Sequence, residues 1–218
     1  MGAIADCWDN SWRRLVRREE VTIVDYGIGN IQAFWNIYSR LNIPVKVAKT
    51  PSQLLQAKKL ILPGVGAFDW AMERLNGSGL QEILTALVVE KKIPVLGICV
   101  GMQMMAKRSD EGSLPGLGWF DAEVRHFDPG DQYLPHMGWN DVKPVSGSKL
   151  FAGISDPKFY FLHSYFFSPH QSEQSIATTN YGIEFTSVVA KNHMYGVQFH
   201  PEKSHNWGIK LLKNFGEI

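Results

Sequence analysis

The first hundred residues switch repeatedly between two periodicities, and that switching restricts the fold more than any other feature. "VTIVDYG" (21–27), "PVKVA" (44–48), "KLILPG" (59–64) and "IPVLGI" (93–98) are short apolar runs of the kind buried strands need. Between them, "NIQAFWNIYSRLN" has helical spacing at Ile31, Phe34, Trp35, Tyr38 and Leu41, and "AFDWAMERL" and "GLQEILTALVVEKK" are also helical. Thr50 followed by Pro51 is a helix start, and "GMQMMAKR" (101–108) predicts a helix after the fourth strand. Strands alternating with helices imply βαβ units, an α/β class and a mainly parallel sheet covered on both faces. The second half reads differently. "WFDAEVRHF", "KFYFLHSYFF", "SIATTN", "TSVVAKN" and "HMYGVQF" are strand-like, with Asn192-His193 as a turn, and "NWGIKLLKNFGEI" closes as a helix. An antiparallel portion is therefore expected there.

Length and charge narrow the options. A chain of 218 residues with 44% hydrophobic and 20% charged residues can bury a full core. A net charge of +1 gives no electrostatic case for nucleic acid or an anionic membrane. No stretch approaches the roughly 18 apolar residues of a membrane span. Cys7 and Cys99 are the only cysteines, which fits a reducing cytoplasm; neither metal-site spacing nor a cofactor motif is present. Residues 1–20 hold four arginines and four acids without an apolar signal core, so they read as a poorly ordered extension ahead of one domain at 21–218.

Cys99 is the position that raises a chemical question. It lies between Gly97 and Gly101 at the carboxyl end of the fourth strand, where open parallel sheets place their sites. The spacing Gly-x-Cys-x-Gly is that of a nucleophile elbow, in which glycines let a helix pack back closely on the sheet. A helix starting there aims its amides at the sulfur, and the Val100 amide is placed to donate to an oxyanion. Alone, the pentapeptide serves packing as readily as catalysis. "YGVQFHPEKS" supplies the missing groups: His200 as a base, and Glu202 two positions on to orient it. "LPGVGAF" adds Gly64, Val65 and Gly66 after the third strand, backbone able to donate to an oxyanion or a ligand carboxylate.

"PGVGAF", "LGICVGMQMM", "PHMGWN", "FLHSY" and "GVQFHPEKS", in this order, resemble the class I glutamine amidotransferases over about Val21 to Ile218. "DYGIGN" fits as well. The resemblance implies a three-layer, flavodoxin-like fold and a glutaminase with Cys99 as nucleophile, His200 as proton carrier and Glu202 orienting it. It implies oxyanion donors near Gly64, Val65 and Val100, and glutamine contacts at Gly66, Gln103, Glu111, Ser164 and Tyr165. Glu111 suits the substrate's α-ammonium. Within the family the resemblance is to the branch that passes ammonia to a (β/α)8-barrel cyclase in histidine biosynthesis, and Asn30, Trp139, Tyr160 and Lys203 match positions near that heterodimer interface. An alternative branch delivers ammonia for amidino-sugars of surface polysaccharides. Val100 stands where the family usually has leucine, a change that leaves the backbone donor intact.

Overall fold

The computed structural model describes residues 19–127 and 132–218. The expected extension therefore lies almost wholly outside the described residues. Strands β1 (Val21–Val24), β2 (Val45–Ala48), β3 (Lys59–Gly64) and β4 (Val95–Cys99) alternate with helices α1 (Ile31–Arg40), α2 (Pro51–Leu54), α3 (Phe68–Gly77) and α4 (Gln81–Thr85), as the periodicity predicts. After β4 come the single turn α5 (Val100–Gln103), β5 (Arg108–Ser109), β6 (Ala122–His126), β7 (His136–Asp141) and β8 (Lys143–Pro144). Strands β9 (Lys158–His163), β10 (Tyr165–Pro169), β11 (Ser175–Tyr181), β12 (Ile183–Lys191) and β13 (Met194–Val197) precede the closing helix α6 (His205–Glu217).

The central sheet has eight strands in the order β2-β1-β3-β4-β13-β12-β11-β8. The first five are parallel, and the sheet turns antiparallel at β13–β12. Every residue of β1, β3 and β4 is buried, which is why these runs are continuous rather than alternating. Strand order runs from β1 out to β2 and back across to β3, so right-handed crossovers place α1 and α2 on opposite faces. α1 packs against α6 and α2 against α4, completing three layers. Lys59, buried within β3, points its Nζ at the Gly216 carbonyl 2.8 Å away and so ties the end of α6 to the sheet.

Three expectations are modified. The helix expected over 101–108 stops at Gln103, because a following loop captures its carbonyls: Leu117, Phe120 and Gly118 amides donate to Met104, Met105 and Ala106 at 2.7, 3.0 and 3.0 Å. The helix begun by Thr50 forms with a capping box but lasts one turn. "KFYFLHSYFF" is two strands, not one: β9 pairs with β7 in a two-stranded ribbon and β10 pairs with β6. Ser164 sits at the break, and the chain changes sheets there. The Asn192-His193 turn forms as read, with Asn192 at φ +58° and Lys191 opposite Met194.

Candidate active site

Cys99 ends β4 and begins α5, at φ +54° and ψ −115°. A non-glycine residue at positive φ is strained, and the cost falls at about 1–3 kcal/mol. The surroundings enforce it. A β-carbon on Gly101 would run into the Leu62 carbonyl of β3, and one on Gly97 would meet the Gly101 oxygen at 2.7 Å. Both glycines thus serve close approach of α5 to the sheet. Gly64 lies opposite Cys99 in the β3–β4 register, and a β-carbon there would overlap the Gly101 amide. The elbow is locked between two strands.

Cys99 is 4% exposed, and its sulfur lies 3.9 Å from the Leu162 carbonyl and 3.8 Å from the Gln198 amide nitrogen. His200 follows β13, the strand next to β4, so its ring reaches the same sheet edge. Its Nδ1 donates to Glu202 Oε1 at 2.9 Å, which leaves Nε2 for the sulfur. Both side chains are almost fully enclosed, and Glu202 Oε2 is buried without a hydrogen-bond partner. Burial alone would depress the imidazole. The charge and hydrogen bond of Cys99, joined by those of Glu202, outweigh it and push His200 up to about 10.

These groups open into a cavity of about 440 Å³. Its wall includes Val65, Gly66, Cys99, Val100, Gln103, Glu111, Ser164, Tyr165, His200 and Lys203, so most expected site residues meet in one place. Gly64 is behind the wall, under the elbow. Gly66, at φ +83°, is backed by the Trp70 ring. Glu111 is half-buried, and its Oε2 accepts from the Phe68 amide at the start of α3 at 2.9 Å. Desolvation raises this carboxyl, the Phe68 amide works against that, and nearby Asp69 adds to the rise. Gln103 is buried, with Nε2 donating to the Tyr165 carbonyl and to Gln198 Oε1.

Of the four expected docking residues, Lys203 lines the cavity, Tyr160 and Trp139 adjoin it in turn, and Asn30 lies apart at the start of α1. Trp139 is 46% exposed and meets the Tyr160 ring edge-on at 6.3 Å. Lys203 Nζ stands 5.7 Å over that ring. Asn30 caps α1 by accepting from the Ala33 amide, so its side chain has a structural task as well. Residue-level reading assigned nothing to His163, Leu162 or Gln198. Alternation in "FYFLH" puts His163 on the buried face with Phe161, and Gln198 is a lone amide just past an apolar strand, but neither pattern names a partner.

The sequence profile of the family Glutamine amidotransferase class-I matches residues 22–217. The chain belongs to this family. A relative from Bdellovibrio bacteriovorus, named imidazole glycerol phosphate synthase subunit HisH, is 62% identical over 91% of this chain and 100% of its own length. The Pseudomonas aeruginosa protein named imidazole glycerol phosphate synthase subunit HisH 2 is 44% identical over 91% of this chain and 99% of its own. A crystal structure titled as a glutamine amidotransferase superposes with a TM-score of 0.72 at 18% identity, covering 91% of this chain and 99% of that one, which bears on the fold alone. The chain is thus a class I glutamine amidotransferase with the three-layer fold of the family. Among the described residues no helix is long and apolar enough to cross a membrane.

Proposed function

We propose that this chain is the glutaminase subunit of imidazole glycerol phosphate synthase, working in the cytoplasm as a heterodimer with a (β/α)8-barrel cyclase. The observation that carries the chemistry is a strained Cys99 facing an imidazole held by Glu202. The 62% identical relative named imidazole glycerol phosphate synthase subunit HisH supports the pathway. The amidino-sugar branch is not favoured, since the relatives at 62% and 44% both bear the histidine-pathway name.

The reaction follows from the positions. Glutamine enters the cavity with its α-ammonium toward Glu111 and its side-chain amide over Cys99. The Sγ thiolate attacks the amide carbon, and the resulting oxyanion is met by backbone amides near Val65 and at Val100. His200 delivers a proton to the leaving nitrogen, so ammonia departs and a glutamyl thioester remains. His200 then takes a proton from water, whose oxygen attacks the thioester; glutamate leaves and the thiolate returns. Glutamine and water become glutamate and ammonia. Ammonia in bulk water at neutral pH is mostly protonated and no nucleophile, which is why direct transfer to the cyclase matters. Trp139, Tyr160 and Lys203 form the rim against which the cyclase docks, with Asn30 contributing.

Replacement of Cys99 by Ala in the purified two-subunit complex is the test. Glutamine-dependent product should vanish while added ammonium salt still supports the cyclase. Retention of glutamine-dependent turnover would refute the nucleophile assignment, and failure of the wild-type pair to form product would refute the pathway.

A further inference from the structure

Two buried histidines, His136 on β7 and His163 on β9, stand opposite each other in the ribbon register. His136 Nδ1 and His163 Nε2 are 2.9 Å apart. His163 Nδ1 is 2.8 Å from the Tyr165 carbonyl, and His136 Nε2 is 3.1 Å from Asn140 Nδ2. The hydrogens can be placed by elimination. A carbonyl only accepts, so His163 carries its proton on Nδ1. A neutral ring then has Nε2 as an acceptor, so His136 must donate from Nδ1 and accept at Nε2 from the Asn140 amide. No alternative assignment satisfies all three contacts. A second proton on either ring would set N–H against N–H, and burial holds both rings neutral, His136 down at about 4 and His163 at about 3.

The chain of bonds continues to the nucleophile. The Tyr165 carbonyl also accepts from Gln103 Nε2 at 3.0 Å, Gln103 Nε2 lies 3.2 Å from Gln198 Oε1, and Gln198 Nε2 lies 3.8 Å from Cys99 Sγ. The other face of the same ribbon is different: Met137 is paired with Leu162 and Trp139 with Tyr160, and Met137, Trp139 and Leu162 are exposed. One two-stranded ribbon therefore carries the docking residues outward and the histidine pair inward.

We propose that His136 and His163 are positioning residues: a tautomer-locked pair that fixes the Tyr165 carbonyl and, through Gln103 and Gln198, orients the Cys99 sulfur from the underside of the docking ribbon. This rests on the assignment of the cavity to glutamine. Without His136 as donor, the His163 proton is free to move to Nε2, and the Tyr165 carbonyl loses the bond that orients it. Segment 164–165 lines the cavity, so the loss falls on glutamine binding.

The experiment compares wild type, His136→Phe and His136→Asn in complex with the cyclase. Phe keeps a flat ring between Tyr181 and Phe161, which stack on His136 at 4.0 and 4.7 Å, but cannot donate. Asn offers an amide nitrogen near the place of Nδ1. KM for glutamine should rise about tenfold in His136→Phe, as expected for one buried hydrogen bond, with a smaller change in kcat. Asn should recover most of that loss despite its smaller volume. A purely structural pair would move the Tm of His136→Phe and leave KM and the alkylation rate of Cys99 by a glutamine-analogue electrophile unchanged; that result overturns the proposal. If His136→Phe does not fold, the ¹⁵N spectrum of the wild-type imidazoles decides. Protons on Nδ1 of both rings, without titration from about pH 5 to 8 where a free imidazole would titrate, support the lock. A His163 proton on Nε2 overturns it. An inert wild-type complex sinks the functional reading, whereas an active one with an unaffected His136→Phe sinks the pair's role alone.

Discussion

Cys99 holds φ +54° because Gly97 and Gly101 let backbone from two sides close on it, and in that conformation it lines the cavity. Its partner is tuned just as locally. Burial would leave the His200 ring neutral, and the interactions with Cys99, joined by those with Glu202 behind the ring, overcome it. Glu202→Gln removes the carboxylate charge while keeping the shape. Proton binding by His200 should weaken, its titration moving down from about 10, and kcat should fall by roughly a hundredfold or more, as when a triad carboxylate is lost. Imidazole NMR titration and steady-state kinetics read the two effects; an unmoved titration would show that Cys99 alone sustains the shift. At this scale much was legible. The Gly-x-Cys-x-Gly spacing and His-Pro-Glu are local, and local spacing survives in sequence. Gln198 and His163 were not legible as site residues, because the contact of Gln198 with Cys99 spans 99 positions and that of His163 with His136 spans 27, and both depend on which sheet each strand joins.

Among the elements, α5 shows how little helix the elbow needs. A single turn is enough to present Val100 and Gln103 to the cavity, since the following carbonyls are taken by the loop at 117–120. Gly101 is the tightest point of this packing. Gly101→Ala should push α5 away from β3, destabilise the chain by about 1–3 kcal/mol as overpacked sites do, and slow alkylation of Cys99. Urea unfolding and iodoacetamide labelling measure both; full stability with normal labelling would mean the elbow has slack. The helix period predicted continuation to Arg108 because Met102, Met104 and Met105 suit a helix, and nothing in that stretch announces the distant amides that stop it. The ribbon was hidden for a similar reason. "PHMGWND" carries a proline and a glycine and no β-branched residue, so it becomes a strand only through pairing with β9.

For the whole molecule, one edge of the sheet collects the ends of β3, β4 and β13, and with them the cavity, while the ribbon raises an aromatic rim beside it. An exposed tryptophan braced by Tyr160, and stacked at 5.1 Å on His205, is the kind of anchor that carries association energy. Trp139→Ala should weaken the complex by about 2 kcal/mol, roughly thirtyfold in Kd, while leaving the fold intact. Titration calorimetry with the cyclase checks it, and an unchanged Kd would remove Trp139 from the interface. What the sequence determined by itself was the α/β class, the parallel half, the elbow and the three candidate catalytic side chains, because periodicity and short spacings are properties of neighbouring residues. Only the tertiary structure decided that "KFYFLHSYFF" divides between two sheets, that Trp139 faces outward while His136 faces in, and that a line of hydrogen bonds joins that ribbon to the sulfur. Those outcomes depend on pairing between distant segments, where register and sheet membership, rather than residue type, set which side of a strand meets the site.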